Sequence, residues 1–254
     1  MRTEIKAVLF DLGGTLEDLS STEEQKRACI RKVRSVLDRA AQTDTFAVPE
    51  EEFYETLMAG YRKYKEWTVS ANLEKSPEEI WADHYLAEYS REQELIWAMA
   101  DRLTQLWETI FYTRSMKEGV IPLLEELKAR GFRLGLISNT TSRTVPFELL
   151  EQYGIDAYFD CVLLSSVEGC RKPGTALFEK ACRLLGVEVG QCVYVGDQVA
   201  KDIAGAYGAG YRAGILIDSD FTAVDPGAKN PFGCLRIHKL AELPGLLDGL
   251  ADEQ

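Results

Sequence analysis

Asp11 combines a reactive side chain with a position suited to chemistry. It directly follows a short apolar run, AVLF, which predicts a buried strand at residues 7–10. A carboxylate at the tip of a strand can attack phosphorus and form an aspartyl-phosphate, which divides one difficult step into two easier ones. Gly13 stands two residues later, where a partner acid would be expected. The stretch therefore raises the question of whether this is a catalytic loop and what it could do without a second acid.

Polar residues also lie at the ends of the later predicted strands. The runs that contain them read LGLISNT, GCRKPG and VGDQVAKD. The carboxyl ends of parallel strands meet at one edge of a sheet, so these groups are expected to converge on Asp11. They are, in chain order, Ser138 with Asn139, Lys172, and Asp197 with Asp202.

This set of residue types is suited to phosphoryl transfer. A phosphate and a carboxylate repel each other, so the site needs a cation. Asp11 and Asp197, with backbone carbonyls, form a hard oxygen site of the kind that Mg²⁺ prefers. Lys172 adds positive charge near the transferred oxygens, and the Ser138 hydroxyl with neighbouring backbone N–H groups can hold the phosphate.

Strand and helix patterns alternate from residue 119 onward, and they place these groups. Short apolar runs predict strands, and longer segments that end at a glycine predict helices. The alternation favours a doubly wound α/β fold, with a parallel sheet covered by helices on both faces. The predicted strands are 132–138, 161–165, 192–195 and 212–217, and the predicted helices are 120–130, 143–153, 175–185, 200–209 and 240–250. Residues 218–232 are predicted to form a polar loop.

Residues 19–115 have helical periodicity and few strand signals. Leu95, Met99, Leu103 and Leu106 recur at helical spacing, and all four tryptophans of the chain lie in this stretch. We predict a helical cap domain over residues 19–115, with a core domain formed by residues 1–18 and 116–254. The tryptophans are expected to build the core of the cap, whose closure would exclude water from the substrate.

The composition limits the classes of partner. The 254 residues carry a net charge of −12, which disfavours nucleic acids and anionic membranes. The N-terminus lacks the pattern of a signal peptide, and the six cysteines are scattered without a CxxC pair. We expect a cytoplasmic protein with reduced thiols that acts on a small molecule.

Four ordered motifs together resemble the haloacid dehalogenase-like superfamily, in the subgroup with a helical cap inserted after the first motif. The matching stretches are AVLFDLGGTL, LGLISNTTS, GCRKPGTALFEKA and CVYVGDQVAKDIAGAYGAG. The resemblance covers nearly the whole chain and implies a Rossmann-like core and a Mg²⁺-dependent hydrolase. The fourth motif, of the form GDxxxxD, argues against the metal-free dehalogenase branch.

The resemblance implies a catalytic and metal-binding role for four residues. On this resemblance, Asp11 would be the nucleophile and a Mg²⁺ ligand, and Lys172 would stabilise the nucleophile and the developing charge. The backbone carbonyl of Gly13 and the carboxylate of Asp197 would be further Mg²⁺ ligands.

The same resemblance implies that Ser138 binds the phosphoryl group and that Asp202 supports the loop of the fourth motif. Asn139 and Lys172 are expected to complete the phosphate site with Ser138, and Thr15 is expected to support the first motif.

Gly13 departs from the phosphatase pattern, in which the second residue after the nucleophile is an Asp that protonates the leaving oxygen. General acid–base catalysis contributes about 10²–10⁴-fold. The favoured hypothesis is a phosphatase for a small phosphorylated metabolite that prefers good leaving groups. A variant of it takes the acid from Glu17, Asp18 or a cap side chain, although Glu17 and Asp18 are interpreted as solvated turn residues.

Two alternatives remain open at this point. One is a phosphonatase-like C–P hydrolase, a branch that also lacks the second Asp and uses a cap lysine to form a Schiff base. Its lysine candidates are Lys26, Lys32, Lys63, Lys65 and Lys75. The other is a non-catalytic phosphate-binding or regulatory protein, which would bind ligand without turnover.

Overall fold

The computed structural model describes residues 4–42, 46, 48–219 and 232–252. Its strands are β1 (Ala7–Phe10), β2 (Glu17–Ser20), β3 (Thr113–Met116), β4 (Arg133–Ser138), β5 (Cys161–Leu164), β6 (Cys192–Gly196), β7 (Ala213–Ile217) and β8 (Leu235–Ile237). Its α-helices are α1 (Glu23–Ala41), α2 (Glu50–Ala71), α3 (Pro77–Glu79), α4 (Gln93–Leu106), α5 (Val120–Ala129), α6 (Val145–Gln152), α7 (Ser165–Glu168), α8 (Ala176–Leu185), α9 (Ala204–Ala209) and α10 (Leu243–Asp252). Short π-helical segments span Ile80–Tyr85, Trp107–Phe111 and Val199–Ile203.

A six-stranded parallel sheet forms the centre of the first unit. Its strand order is β5-β4-β1-β6-β7-β8, so β1 lies between β4 and β6. The strands whose carboxyl ends are followed by the polar candidate residues are therefore neighbours in space, although they are distant in sequence. The predicted doubly wound α/β fold is confirmed.

The apolar strand residues serve two hydrophobic layers, one on each face of the sheet. Along β1, Val8 and Phe10 join the layer that contains α5 and α10, whereas Ala7 and Leu9 join the layer that contains α8. All four residues of β1 are fully buried. A strand covered on both faces needs a continuous apolar run rather than an alternating one, which explains the sequence AVLF.

The structure differs from the sequence prediction at several short elements. Strands β2, β3 and β8 were not predicted, and α7 begins where strand 161–165 was expected to continue. The predicted helix 200–209 begins with the π-helical segment Val199–Ile203 before α9. In the predicted loop 218–232, residues 220–231 lie outside the described residues.

The chain divides into two compact units. The first comprises residues 1–19, 114–139 and 149–254, and the second comprises residues 20–113 and 140–148. The outer boundaries lie within two residues of the predicted ones, but the prediction that residues 140–148 belong to the core domain differs from this division. Arg143 binds Glu78 through both terminal nitrogens, and the Thr141 hydroxyl donates to Glu108 at 3.0 Å, so this segment is held by the second unit.

The second unit is helical and has its own aromatic core. Trp81 and Trp107 are buried and meet edge to face, with ring centroids 5.9 Å apart, whereas Trp97 is about half exposed. Thr22 begins α1 with a capping box in which Gln25 is the reciprocal partner. The function of this unit as a cap stays a prediction.

No helix in the described part of the chain combines the length and apolar character needed to cross a membrane.

Candidate active site

Three neighbouring strands bring the predicted motifs to one edge of the sheet. Phe10 of β1 pairs with Leu136 of β4 on one side and with Val195 of β6 on the other. The Asp11 backbone N–H continues this ladder and donates to the Val195 carbonyl at 2.9 Å. Asp11, Ser138 and Asp197 therefore lie at adjacent strand ends.

Lys172 reaches this edge from the loop between α7 and α8. Its ammonium nitrogen lies 2.8 Å from Asp11 Oδ1 and 2.7 Å from Asp202 Oδ1. It also donates to the Ile137 carbonyl at 2.9 Å and to the Tyr194 hydroxyl at 2.8 Å. Burial disfavours the charged ammonium, yet the neighbouring Asp11 and Asp202 carboxylates raise the pKa of Lys172 above its ordinary value. Lys172 is thus held as a cation against the predicted nucleophile.

Asp197 packs directly against the turn that follows Asp11. Gly14 has a φ of +81°, and a Cβ added there would lie 2.2 Å from Asp197 Oδ2. Only glycine accommodates both this backbone conformation and this close approach. Gly14 therefore allows the carboxylate of the fourth motif to lie beside the first motif.

The three buried carboxylates fit a divalent cation. One oxygen each of Asp11, Asp197 and Asp202 lies within 4.8 Å of the other two. Burial raises the pKa of Asp11 to about 7, which Lys172 opposes and the charges of Asp202 and Asp197 reinforce. The excess of negative charge around one lysine and the hard oxygen donors are suited to Mg²⁺.

The remaining predicted residues lie around this centre. Ser138 ends β4, and its side chain is largely buried. Asp202 Oδ2 accepts the Gln198 backbone N–H at 3.0 Å, which closes the turn after Asp197. Thr15 is fully buried, and its hydroxyl has no hydrogen-bond partner among the described residues. Gly13 is partly exposed beside Leu19.

Asn139 has a different arrangement from the one expected of a phosphate ligand. Its side-chain amide donates to the Lys172 carbonyl at 3.0 Å, and its side-chain oxygen accepts the Lys172 N–H at 3.0 Å. Both ends of the amide therefore bind the backbone of the lysine loop. These two hydrogen bonds tie the Lys172 backbone to the residue that follows β4.

The family assignment follows from a match that covers most of the chain. Residues 5–210 match the model of the haloacid dehalogenase-like hydrolases. The chain belongs to this family. The matched range contains every motif that was singled out in the sequence.

Relatives of this haloacid dehalogenase-like hydrolase include named phosphatases. The glyceraldehyde 3-phosphate phosphatase of Methanopyrus kandleri is 32% identical over 81% of each chain. The N-acylneuraminate-9-phosphatase of Homo sapiens is 31% identical over 60% of each chain. Among solved structures, a 2-haloacid dehalogenase of Pseudomonas syringae pv. Tomato DC3000 is 27% identical, with a TM-score of 0.67 over 96% of this chain and 99% of that one.

Glu17 is not the solvated turn residue that the sequence predicted. Its side chain is completely buried, and one carboxylate oxygen binds the Arg114 guanidinium. The other oxygen accepts the Tyr153 hydroxyl at 3.0 Å. The correction arises because Glu17 begins β2, beside β3, which supplies Arg114. Asp18 points to solvent, with a side chain 53% exposed, and lies 3.4 Å from Lys117.

Replacing Glu17 tests whether it is structural or a substitute acid. We expect Glu17→Gln to reduce the free energy of unfolding by about 3 kcal/mol. The substitution removes the negative charge that pairs with the largely buried guanidinium of Arg114. Denaturant unfolding gives this value, and Glu126→Gln, at the surface pair with Arg130, is the matched control. A stable variant that loses activity only toward poor leaving groups would instead identify Glu17 as the acid.

Tyr194 is a site residue that sequence reasoning missed. Its hydroxyl accepts from Lys172 and donates to the Ile137 carbonyl at 2.9 Å. Burial raises the pKa of Tyr194 well above its ordinary value, so the hydroxyl keeps its proton. The sequence feature that could have indicated it is a tyrosine hydroxyl inside the apolar strand CVYVG, at the start of the fourth motif.

The Tyr194 hydroxyl is expected to matter for rate rather than for substrate binding. We expect Tyr194→Phe to lower kcat about 10-fold with little change in KM, because Lys172 loses one of its fixed partners. Steady-state kinetics test this. Tyr211→Phe is a matched control, since Tyr211 is also buried against Phe178 but its hydroxyl donates to the Phe178 carbonyl. Equal effects of the two variants would contradict a specific role for Tyr194.

The five lysines named as Schiff-base candidates are all at least partly exposed to solvent. Lys32 and Lys63 are exposed, and the others are only partly buried. Lys75 lies 2.8 Å from Glu79 and Lys26 lies 3.9 Å from Glu23. A Schiff-base lysine needs an apolar environment or a neighbouring cation that lowers its pKa. No observation at these five positions favours the phosphonatase-like alternative.

Proposed function

We propose that this hydrolase is a Mg²⁺-dependent phosphatase that acts on a small phosphorylated metabolite through a covalent intermediate on Asp11. The observation that carries the proposal is the Lys172 ammonium, held 2.8 Å from Asp11 and 2.7 Å from Asp202 at the edge of the sheet. A buried carboxylate with an adjacent fixed cation is the arrangement expected of a nucleophile that must approach an anionic phosphate.

The chemical steps use residues of this chain. An Asp11 carboxylate oxygen attacks phosphorus, the bond to the leaving oxygen breaks, and the aspartyl-phosphate forms. Water then attacks the phosphorus of this intermediate, which releases inorganic phosphate and restores the Asp11 carboxylate. Throughout, the Ser138 hydroxyl orients the phosphoryl oxygens and Lys172 stabilises the negative charge. We assign the Mg²⁺ ligands to Asp11, Asp197 and the Gly13 carbonyl, and the ion would offset the negative charge shared by phosphate and carboxylates.

The missing acid at Gly13 determines the expected leaving-group preference. An alkoxide leaves poorly without a proton, whereas acetate and nitrophenolate leave readily. We therefore expect fast turnover of acyl and aryl phosphates and slow turnover of alkyl phosphates. The difference should be of the order of the 10²–10⁴-fold that an acid normally supplies.

The named relatives support small phosphorylated sugars as the substrate class. Both curated relatives carry phosphatase in their names, one for glyceraldehyde 3-phosphate and one for N-acylneuraminate 9-phosphate. Hydrolysis of such alkyl phosphates by this chain would require another group to supply the proton. A preference for good leaving groups and activity on sugar phosphates can therefore be tested separately.

Mg²⁺-dependent phosphate release from acetyl phosphate, p-nitrophenyl phosphate and glyceraldehyde 3-phosphate tests the proposal. We expect turnover of the first two, weak turnover of the third, and loss of all three with a chelator. Fast turnover of glyceraldehyde 3-phosphate would contradict the leaving-group argument but not the phosphatase assignment. No turnover of any substrate, with phosphate still bound, would favour the non-catalytic alternative.

A further inference from the structure

Cys182 and Cys192 form a buried pair of thiols in the first unit. Cys182 lies in α8 and Cys192 is the first residue of β6, and their Sγ atoms are 3.4 Å apart. Both side chains are buried in the hydrophobic layer that contains α8, and neither forms a disulfide. The two cysteines are ten positions apart in the sequence, so they meet only because α8 packs on the sheet.

Each thiol has a second neighbour that helps to fix its position. Cys182 Sγ lies 3.5 Å from the Tyr211 hydroxyl, and Cys192 Sγ lies 3.6 Å from the Glu188 carbonyl. The Tyr211 hydroxyl is itself held, since it donates to the Phe178 carbonyl at 2.9 Å. A disulfide bond is about 2.05 Å long, so the two sulfur atoms need to approach each other by only about 1.4 Å. The pair is therefore close to the separation at which a disulfide forms.

A surface cleft reaches one of the two thiols. The cleft has a volume of about 450 Å³, and its lining includes Cys182, Arg183, Val187 and Glu188. Cys192 is completely buried and does not belong to this lining. Hydrogen peroxide is only slightly larger than water, so the cleft admits it to Cys182 first.

The surroundings of the pair favour Cys182 as the attacking sulfur. The hydrogen bond with Cys192 lowers the pKa of the Cys182 thiol, and the neighbouring charge of Arg183 lowers it further, although burial acts in the opposite direction. The same hydrogen bond and burial raise the pKa of Cys192. The thiolate is the nucleophilic form of cysteine, so the thiol that reaches the cleft is also the one that ionises more readily.

We propose that Cys182 and Cys192 are a peroxide-sensitive dithiol that forms a reversible disulfide. The Cys182 thiolate attacks one oxygen of hydrogen peroxide, the O–O bond breaks, and hydroxide leaves, so Cys182 becomes a sulfenic acid. The Cys192 sulfur then attacks Cys182 Sγ, the S–O bond breaks, and a second hydroxide leaves. The two thiol protons convert both hydroxides to water, and the two electrons that reduce the peroxide come from the sulfur atoms. This chemistry does not depend on the proposed phosphatase activity.

Peptide mapping of the native full-length protein tests the proposal. Trypsin cleaves after Arg183, so Cys182 and Cys192 fall in separate peptides, residues 181–183 and 184–201. The protein is treated with increasing hydrogen peroxide, the remaining thiols are alkylated in denaturant, and the digest is analysed by mass spectrometry without reduction. We expect these two peptides to become linked, and dithiothreitol to release them.

Alanine variants distinguish the attacking thiol from the resolving one. Cys182→Ala should slow the oxidation of Cys192 at least about tenfold, because the buried thiol loses the residue that meets the peroxide. Cys192→Ala should leave a sulfenic acid at Cys182, which dimedone traps. Cys161→Ala removes another buried thiol of the same hydrophobic layer, and this matched control should form the disulfide at the wild-type rate.

The wild-type protein alone can overturn the proposal. The linked peptides should appear at a lower peroxide concentration than is needed to oxidise Cys170 and Cys234, which are less buried. Absence of the linked peptides, their appearance only in unfolded protein, or earlier oxidation of Cys170 or Cys234 would overturn it. Phosphate release does not enter this measurement, so failure of the proposed function would leave the result unchanged.

Discussion

Asp11→Asn should abolish phosphate release from acetyl phosphate and p-nitrophenyl phosphate, with a loss of at least about 1,000-fold in kcat. An amide oxygen is a far weaker nucleophile than a carboxylate, and the substitution also removes one oxygen ligand of the Mg²⁺ site. Lys172 keeps Asp202, Tyr194 and Ile137 as partners, so the fold should persist. Phosphate release is measured in steady state, with thermal unfolding as the check on folding.

The control for this variant is the same chemical change at an exposed acid. Asp248→Asn removes a carboxylate that binds Arg130 at the surface, and it should leave kcat within about twofold of the wild type because exposed ion pairs contribute little. A folded Asp11→Asn protein with residual activity above one-tenth of the wild type would show that Asp11 is not the nucleophile.

Gly13→Asp should raise activity toward alkyl phosphates by about 10²–10⁴-fold, with little change toward acetyl phosphate. The new carboxyl group supplies the proton that an alkoxide leaving group needs, and acetate does not need it. The backbone at Gly13 is outside the left-handed region, and an added Cβ would lie 2.9 Å from Leu19 Cδ1. This atom is the end of a flexible side chain, so a small movement of Leu19 admits the larger residue.

Gly13→Asn is the matched control because it has the shape of aspartate without the acid. It should fail to improve alkyl phosphate turnover, and comparison of the two kcat/KM ratios isolates the proton transfer. If Gly13→Asp folds but shows the same leaving-group preference as the wild type, the missing acid is not what limits the enzyme.

The sheet, and the strand ends that carry the candidate site residues, were predictable because both depend on the local pattern of apolar residues. Continuous apolar runs such as AVLF and CVYVG indicate strands buried on both faces, and parallel strands align their carboxyl ends. Asp11 and Asp197 follow two such runs, so their convergence follows from the sequence. The β8 strand was missed because LRI is three residues long and follows a segment without apolar periodicity.

The side-chain contacts within the site depend on tertiary approach, which local pattern does not encode. Lys172 meets Ile137, 35 positions earlier, and Tyr194, 22 positions later, and nothing in GCRKPG indicates either partner. Glu17 looked solvated because it stands in the polar stretch EDLSS. Its burial depends on Arg114, which lies 97 positions away. The contacts of Lys172 and the burial of Glu17 were not predicted because both depend on partners that are distant in sequence.

Direct detection of the covalent intermediate tests the central claim that Asp11 attacks phosphorus. The enzyme is mixed with p-nitrophenyl phosphate and Mg²⁺, quenched in acid and reduced with borohydride, which converts an aspartyl-phosphate to homoserine. Peptide mass spectrometry then locates the modified residue. We predict modification at residue 11 alone, and only when substrate and Mg²⁺ are both present. Phosphate release with residue 11 unmodified, or modification at another aspartate, would show that Asp11 does not attack phosphorus.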